Sequence, residues 1–280
     1  MSDLRSKLGD PTSLTLSRTI AHAAVQPLTK AARANLQAVP DDSHSNLEWS
    51  SARGMFLTHP LGAGAAHCQV GLGLAPLRLV ILSDGDEIDT LALAGQTTAR
   101  ALDWVDEALQ DIELAPASPV ALPYDLPGDV VEIDRFGEDS ADLAHLAAWF
   151  SLAAGSLSDF AAANAALDPG PSPVRCWPHH FDIATYVQLE PGDFETAKGI
   201  GVGLSPGDES YDEPYFYVNP WPHLPVASLP EPIAPGHWHT KGFVGSIATG
   251  QEILTGEDPA KTTAQFLRGS FSTGRAGLGI

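Results

Sequence analysis

Forty-nine of the 280 residues are glycine or proline, about 17% against roughly 12% in an average globular chain. They fall in clusters, and both residues end regular elements: glycine through backbone entropy, proline through its missing donor. The clusters mark out short apolar segments whose order can be read. Residues 13–38, rich in Ala and Leu with apolar recurrence near 3.6, predict two helices or one helix kinked at Pro27. Residues 47–59, 68–82 and 87–95 are bounded by turn residues such as Ser83-Asp84-Gly85-Asp86 and predict strands. Thr97 or Thr98 then caps a helix to residue 112, with Leu102, Val105 and Leu109 on its apolar stripe.

After a proline-bearing acidic stretch, 114–139, the order recurs. Residues 140–167 predict a long helix with a break near Gly155; 174–189, 199–222 and 237–250 predict strands; Asp258-Pro259 opens a closing helix. A local match accompanies the recurrence. Gly71-Leu72-Gly73-Leu74-Ala75-Pro76 answers Gly201-Val202-Gly203-Leu204-Ser205-Pro206 at an offset of 130, and Trp49 answers Trp177 at an offset of 128. The expectation is an α+β fold of two similar helix/three-strand/helix halves, 1–113 and 140–280, joined by 114–139, with mainly antiparallel sheets and helices packed on them.

Fifteen basic residues against 35 acidic ones give a net charge of −20. The basic residues are scattered, with no stripe to neutralise phosphates, so neither nucleic acid nor an anionic membrane is an expected partner. No uninterrupted apolar run approaches the roughly 18–20 residues of a membrane span, and the N-terminal residues lack a signal-peptide core, so a cytoplasmic location is expected. Cys68 and Cys176 read as small buried hydrophobes.

Candidate chemistry concentrates between residues 177 and 239. An extended chain through Cys176-Trp177-Pro178-His179-His180-Phe181-Asp182 would project His180 and Asp182 to one face, and His237 and His239 form a second such pair. Together they would offer three nitrogens and one oxygen to Zn²⁺, Fe²⁺ or Mn²⁺, with His223 a possible substitute. The alternative is that these histidines hydrogen-bond backbone or carboxylates beside tryptophans. In residues 214–222 a strand would place Tyr215, Tyr217, Asn219 and Trp221 on one face and Phe216 and Val218 on the other. That polar-tipped aromatic face suits a small organic ligand, with Trp177 and His179 as further contacts. Pro214, Pro220 and Pro222 argue for an edge or irregular strand. Asp208 and Glu209, in the turn at 205–210, are placed to approach the histidines as a general base or metal ligand, or else form a solvated acidic turn. No Walker loop, G-x-S-x-G elbow or C-x-x-C pair is present. Two functional classes follow: a small-ligand-binding protein, and alternatively a metal-dependent hydrolase.

Three second-half motifs, Ser172-Pro173-Val174 leading to Phe181-Asp182-x-Ala184, then Gly203-x-x-Pro206-Gly207, then Pro214-x-Phe216-Tyr217, resemble an uncharacterised bacterial domain-of-unknown-function family. The resemblance extends less clearly into the first half, and His179-His180 departs from the family's looser pattern. It implies the architecture and the region of interest, and it adds no reaction.

Overall fold

The computed structural model describes residues 3–62, 68–138, 140–193 and 196–280; Asp139, the last residue of the acidic stretch, lies outside them. The fold is α+β with two antiparallel sheets. Two compact units divide the chain: an N-terminal unit of residues 14–147 and 176–181, and a C-terminal unit of residues 1–13, 148–175 and 182–280. These are not the contiguous halves expected. The stretch 114–138 belongs to the N-terminal unit, which also takes the six residues 176–181.

In the N-terminal unit, a 21-residue helix α2 (Thr15–Asn35) runs through Pro27 as one element; it follows α1 (Asp3–Leu8) of the other unit. The sheet is a meander, β1 (Glu48–Ser50), β2 (Met55–Leu57), β3 (Cys68–Leu74), β4 (Leu77–Ser83) and β5 (Asp86–Ala92), in that spatial order. Five strands replace the expected three because the first two apolar segments each fold back on themselves, while the third forms β5 alone. Residues 51–54 turn the first segment, and Ala75-Pro76 turns the second so that Leu74 pairs Leu77. Phe56, Val70, Leu72 and Leu79 are fully buried, and Met55, Leu57, Val80 and Leu82 form an apolar cluster of their own. Helix α3 (Thr98–Asp111) begins as read: Thr97 caps it by accepting from Arg100 N. Its buried stripe is Ala101, Trp104, Val105 and Leu109, with Leu102 at the margin. A short α4 (Gly128–Val131) follows.

Helix α5 (Ala141–Ala163) contributes to both units. It is the one described helix long and apolar enough to cross a membrane by length and composition alone. Polar residues such as His145 and Ser151 interrupt its apolar run, which is why the sequence shows no continuous span. Leu146, Trp149, Phe150, Leu157 and Phe160 are buried, as on a core helix.

The C-terminal unit holds β6 (Gly170–Pro171), β8 (Asp182–Gln188), β9 (Gly199–Ser205), β10 (Tyr215–Trp221), β11 (His237–His239) and β12 (Gly245–Thr249), ordered β11-β12-β10-β9-β8-β6. The three-residue β7 (Arg175–Trp177) comes between β6 and β8 in sequence. Again a single expected strand becomes two, as in β9 and β10. Strand β10 is interior, not an edge, and Pro220 is tolerated because β12 pairs only Tyr215–Val218, leaving no ladder acceptor opposite the missing N–H. Ile200, Val202, Leu204, Phe216 and Val218 are fully buried, and Gly274 of α7 (Pro259–Gly277) sits against Ile200 and Pro220 on that face. Asp258 caps α7 by accepting from Ala260 N and Lys261 N, with Pro259 at its first position. The short α6 (Gly250–Thr255) opens on a Thr249/Glu252 capping box.

Both sheets contain a three-strand antiparallel meander with Gly-x-Gly in the middle strand, β2-β3-β4 and β8-β9-β10. Beyond that they differ, since β6 and β11 lack counterparts, and duplication of whole halves is not confirmed.

Candidate functional site

The expected cleft over residues 177–239 resolves into two polar clusters, one inside each unit. In the N-terminal unit, α2 carries Thr19, His22, Gln26 and Thr29 at helical spacing, all buried on a helix whose other buried residues are mostly Ala, Leu and Val. Buried polar side chains must find partners. His22 Nε2 and Gln26 Nε2 both reach the Pro178 carbonyl, at 2.8 and 3.1 Å, and Tyr124 Oη donates to Gln26 Oε1 at 3.0 Å. Because the carbonyl only accepts, His22 carries its proton on Nε2.

Pro178 is presented by a turn. Residues 178–181 are not extended: Phe181 N and His180 N both donate to Trp177 O, at 2.7 and 3.2 Å, and β8 begins only at Asp182. The reading that put His180 and Asp182 on one strand face is therefore corrected; the turn separates them. Phe181 sits at φ 57°, a left-handed conformation strained for a bulky residue. Its ring is fully buried, stacked on His22 at 5.2 Å and beside Phe56 at 5.4 Å, and this packing holds the strained backbone. The same turn sets the His179 ring among Trp177, Tyr124 and His180, with centroids 6.1, 5.7 and 4.3 Å away. Among the described residues, no hydrogen bond engages either ring nitrogen of His179 or His180.

Burial, above all else, pushes the pKa of His22 down to about 4 despite the carbonyl bond. Burial and then the neighbouring His180 push His179 down to about 4 as well. Burial raises the Tyr124 phenol to about 12. At neutral pH the cluster presents uncharged imidazoles and an intact phenol.

The C-terminal cluster lies along the tyrosine face of β10. Tyr217 Oη donates to Asp182 Oδ2 at 2.5 Å, and Tyr215 Oη donates to Asp208 Oδ2 at 2.6 Å. Asp208 Oδ1 accepts from Ser210 N and Tyr211 N, so this carboxylate is a turn-former, while Glu209 is exposed. Burial and the nearby Asp208 raise the Tyr215 phenol. His237 and His239 do flank Trp238 on an extended strand, β11, but their partner is Tyr211: its Oη lies 3.1 Å from His237 Nε2 and 3.0 Å from His239 Nδ1. The outer nitrogens meet Glu252 Oε1 at 3.2 Å and the Lys241 carbonyl.

Of the residues expected at a metal, His180 belongs to the first cluster, Asp182 bonds Tyr217, and His237 and His239 bond Tyr211. Among the described residues, no three His, Cys, Asp or Glu side chains converge as a metal ion would require. Of the ligand-wall residues, Trp177 and His179 lie in the N-terminal unit, Tyr215 and Tyr217 in the C-terminal cluster, and Trp221 is 39% exposed at the end of β10, edge-on to His223. The sequence reading missed His22, Gln26, Tyr124, Tyr211 and Glu252. A signal existed for the first two, polar residues four apart on an otherwise apolar helix. No family model, no curated protein and no solved structure matches the chain.

Proposed function

We propose that this chain is a small-ligand-binding protein whose site is the His179 cluster of the N-terminal unit. The observation that supports it is a half-buried imidazole held uncharged between aromatic rings, with both nitrogens unengaged, on a strained turn anchored by His22 and Gln26. A neutral imidazole offers one donor and one acceptor, and Trp177 and Tyr124 offer ring surface at small entropic cost. The ligand class is a flat, uncharged molecule with a polar N–H or O–H. Binding is favoured over acid–base catalysis by the burial of the ring: an imidazole pushed down to about 4 takes up protons poorly near pH 7, where catalytic groups are tuned close to the working pH.

Indole and phenol serve as probes. Ring signals of His179 and Tyr124 should shift saturably in NMR titrations, and His179→Ala should abolish the response while leaving the thermal midpoint unchanged. Equal shifts in wild type and His179→Ala, or shifts spread over the surface without saturation, would refute the assignment.

A further inference from the structure

A cavity of about 540 Å³ opens within the C-terminal unit between the end of α5 and the last half of α7. Arg268, Phe271, Ser272 and Arg275 line it from α7 at spacings of three, four and seven, the pattern of one helix face. Phe160 and Asn164 line it from the other side, and Phe160 meets Phe271 edge to face at 5.0 Å. The Arg275 guanidinium carbon stands 6.0 Å from the Phe271 centroid, and its Nε is buried without a hydrogen-bond partner. Among the described residues neither arginine forms an ion pair. In a chain with 35 acidic residues and 15 basic ones, two arginines and no acid line this cavity.

A buried guanidinium N–H left unpaired costs free energy that a bound anion recovers, and guanidinium matches the fork of a carboxylate. The volume falls within the roughly 300–1,000 Å³ of small-molecule sites. We infer that this cavity binds a small organic carboxylate carried on a flat apolar body, the carboxylate on Arg275 and Arg268 and the body against Phe160 and Phe271.

The full chain and its His179→Ala variant are titrated calorimetrically with 1-naphthoate; 1-naphthylmethanol, the uncharged analogue, and inorganic phosphate, an anion lacking the body, are compared in His179→Ala, where the His179 cluster no longer takes a flat alcohol. Naphthoate should bind, more weakly as salt is raised, and Arg275→Gln should weaken it by about 10- to 100-fold, the usual worth of a charged hydrogen bond. Arg275→Lys should restore only part, since it keeps charge without the fork. Equal binding of the alcohol, displacement by phosphate at matching concentration, or unchanged affinity in Arg275→Gln would overturn the inference. So would dissociation of an oligomer by Arg275→Gln in sedimentation, which would assign the cavity to an acidic segment of a second copy. Should Arg275→Gln fail to fold, Arg268→Gln, at an exposed position, carries the same comparison. His179→Ala should leave naphthoate binding intact, which separates this site from the His179 cluster.

Discussion

Acid should unfold the N-terminal unit through His22. That ring is 6% exposed and its pKa is about 4 in the folded chain, against an ordinary value of 6.5 once unfolding returns it to water. The unfolded chain therefore takes up the proton first. The stability linked to His22 is complete above about pH 6.5, falls as pH drops towards 4, and levels off below. Integrated over that window, the loss is about 2 kcal/mol at pH 5 and about 3 kcal/mol at pH 4, a large share of the roughly 5–15 kcal/mol that keeps a domain folded. His179 shifts the same way, but it is more exposed, and a charge on His22 disfavours its protonation, so their contributions do not simply add. Urea midpoints followed by tryptophan fluorescence at pH 7, 6, 5 and 4 would measure the slope. The many carboxylates of this chain also titrate near the lower end, so the comparison that decides is with His22→Gln, which keeps an N–H donor near the Pro178 carbonyl and cannot titrate. Between pH 6.5 and 4 this variant should lose about 2–3 kcal/mol less stability than wild type. If both lose stability in parallel, His22 titrates near its ordinary value and the buried, uncharged cluster is wrong. An NMR titration of the His22 ring reads the same quantity directly.

The glycines of β9 make a second, paired test. A Cβ on Gly203 would lie 2.5 Å from Tyr217 Oη and 2.7 Å from the Ile183 carbonyl, whereas on Gly201 nothing lies closer than 3.9 Å. Gly203→Ala should cost about 1–3 kcal/mol by overpacking and Gly201→Ala less than about 0.5; equal thermal midpoints would contradict the tyrosine placement. Tyr211→Phe removes the hydroxyl that joins His237 to His239, and leaves the 9%-exposed His239 with an unpaired nitrogen. The loss should be about 1–3 kcal/mol in chemical denaturation, with no comparable effect of His237→Gln in the Tyr211→Phe background, because the chain is already cut.

What the sequence made legible follows from range. Thr97 and Asp258 announce their helices because a cap and the N–H groups it satisfies lie within three residues of each other. The alternation Tyr215-Phe216-Tyr217-Val218 announces its two faces because a strand's period of two is local, and Phe216 and Val218 are indeed the fully buried pair. Strand number was illegible, because a turn such as Ala75-Pro76 interrupts an apolar run without breaking its apolar character. The partner of a polar group was illegible for a stronger reason. His22 bonds a backbone carbonyl 156 residues away, and a carbonyl has no sequence signature, so a buried histidine awaiting Pro178 looks like any other histidine on a helix. The metal expectation rested on residue type in the same way. His180, Asp182, His237 and His239 match a ligand set by residue type, while in the fold a tyrosine hydroxyl takes up three of the four, Tyr217 on Asp182 and Tyr211 on both later histidines. Tyrosine is what a composition-based search for ligands omits, yet its hydroxyl both donates and accepts, so it can bridge two histidines. Where five tyrosine, histidine and carboxylate positions fall within 32 residues, hydrogen-bonded chains that include a phenol compete directly with metal coordination for the same nitrogens.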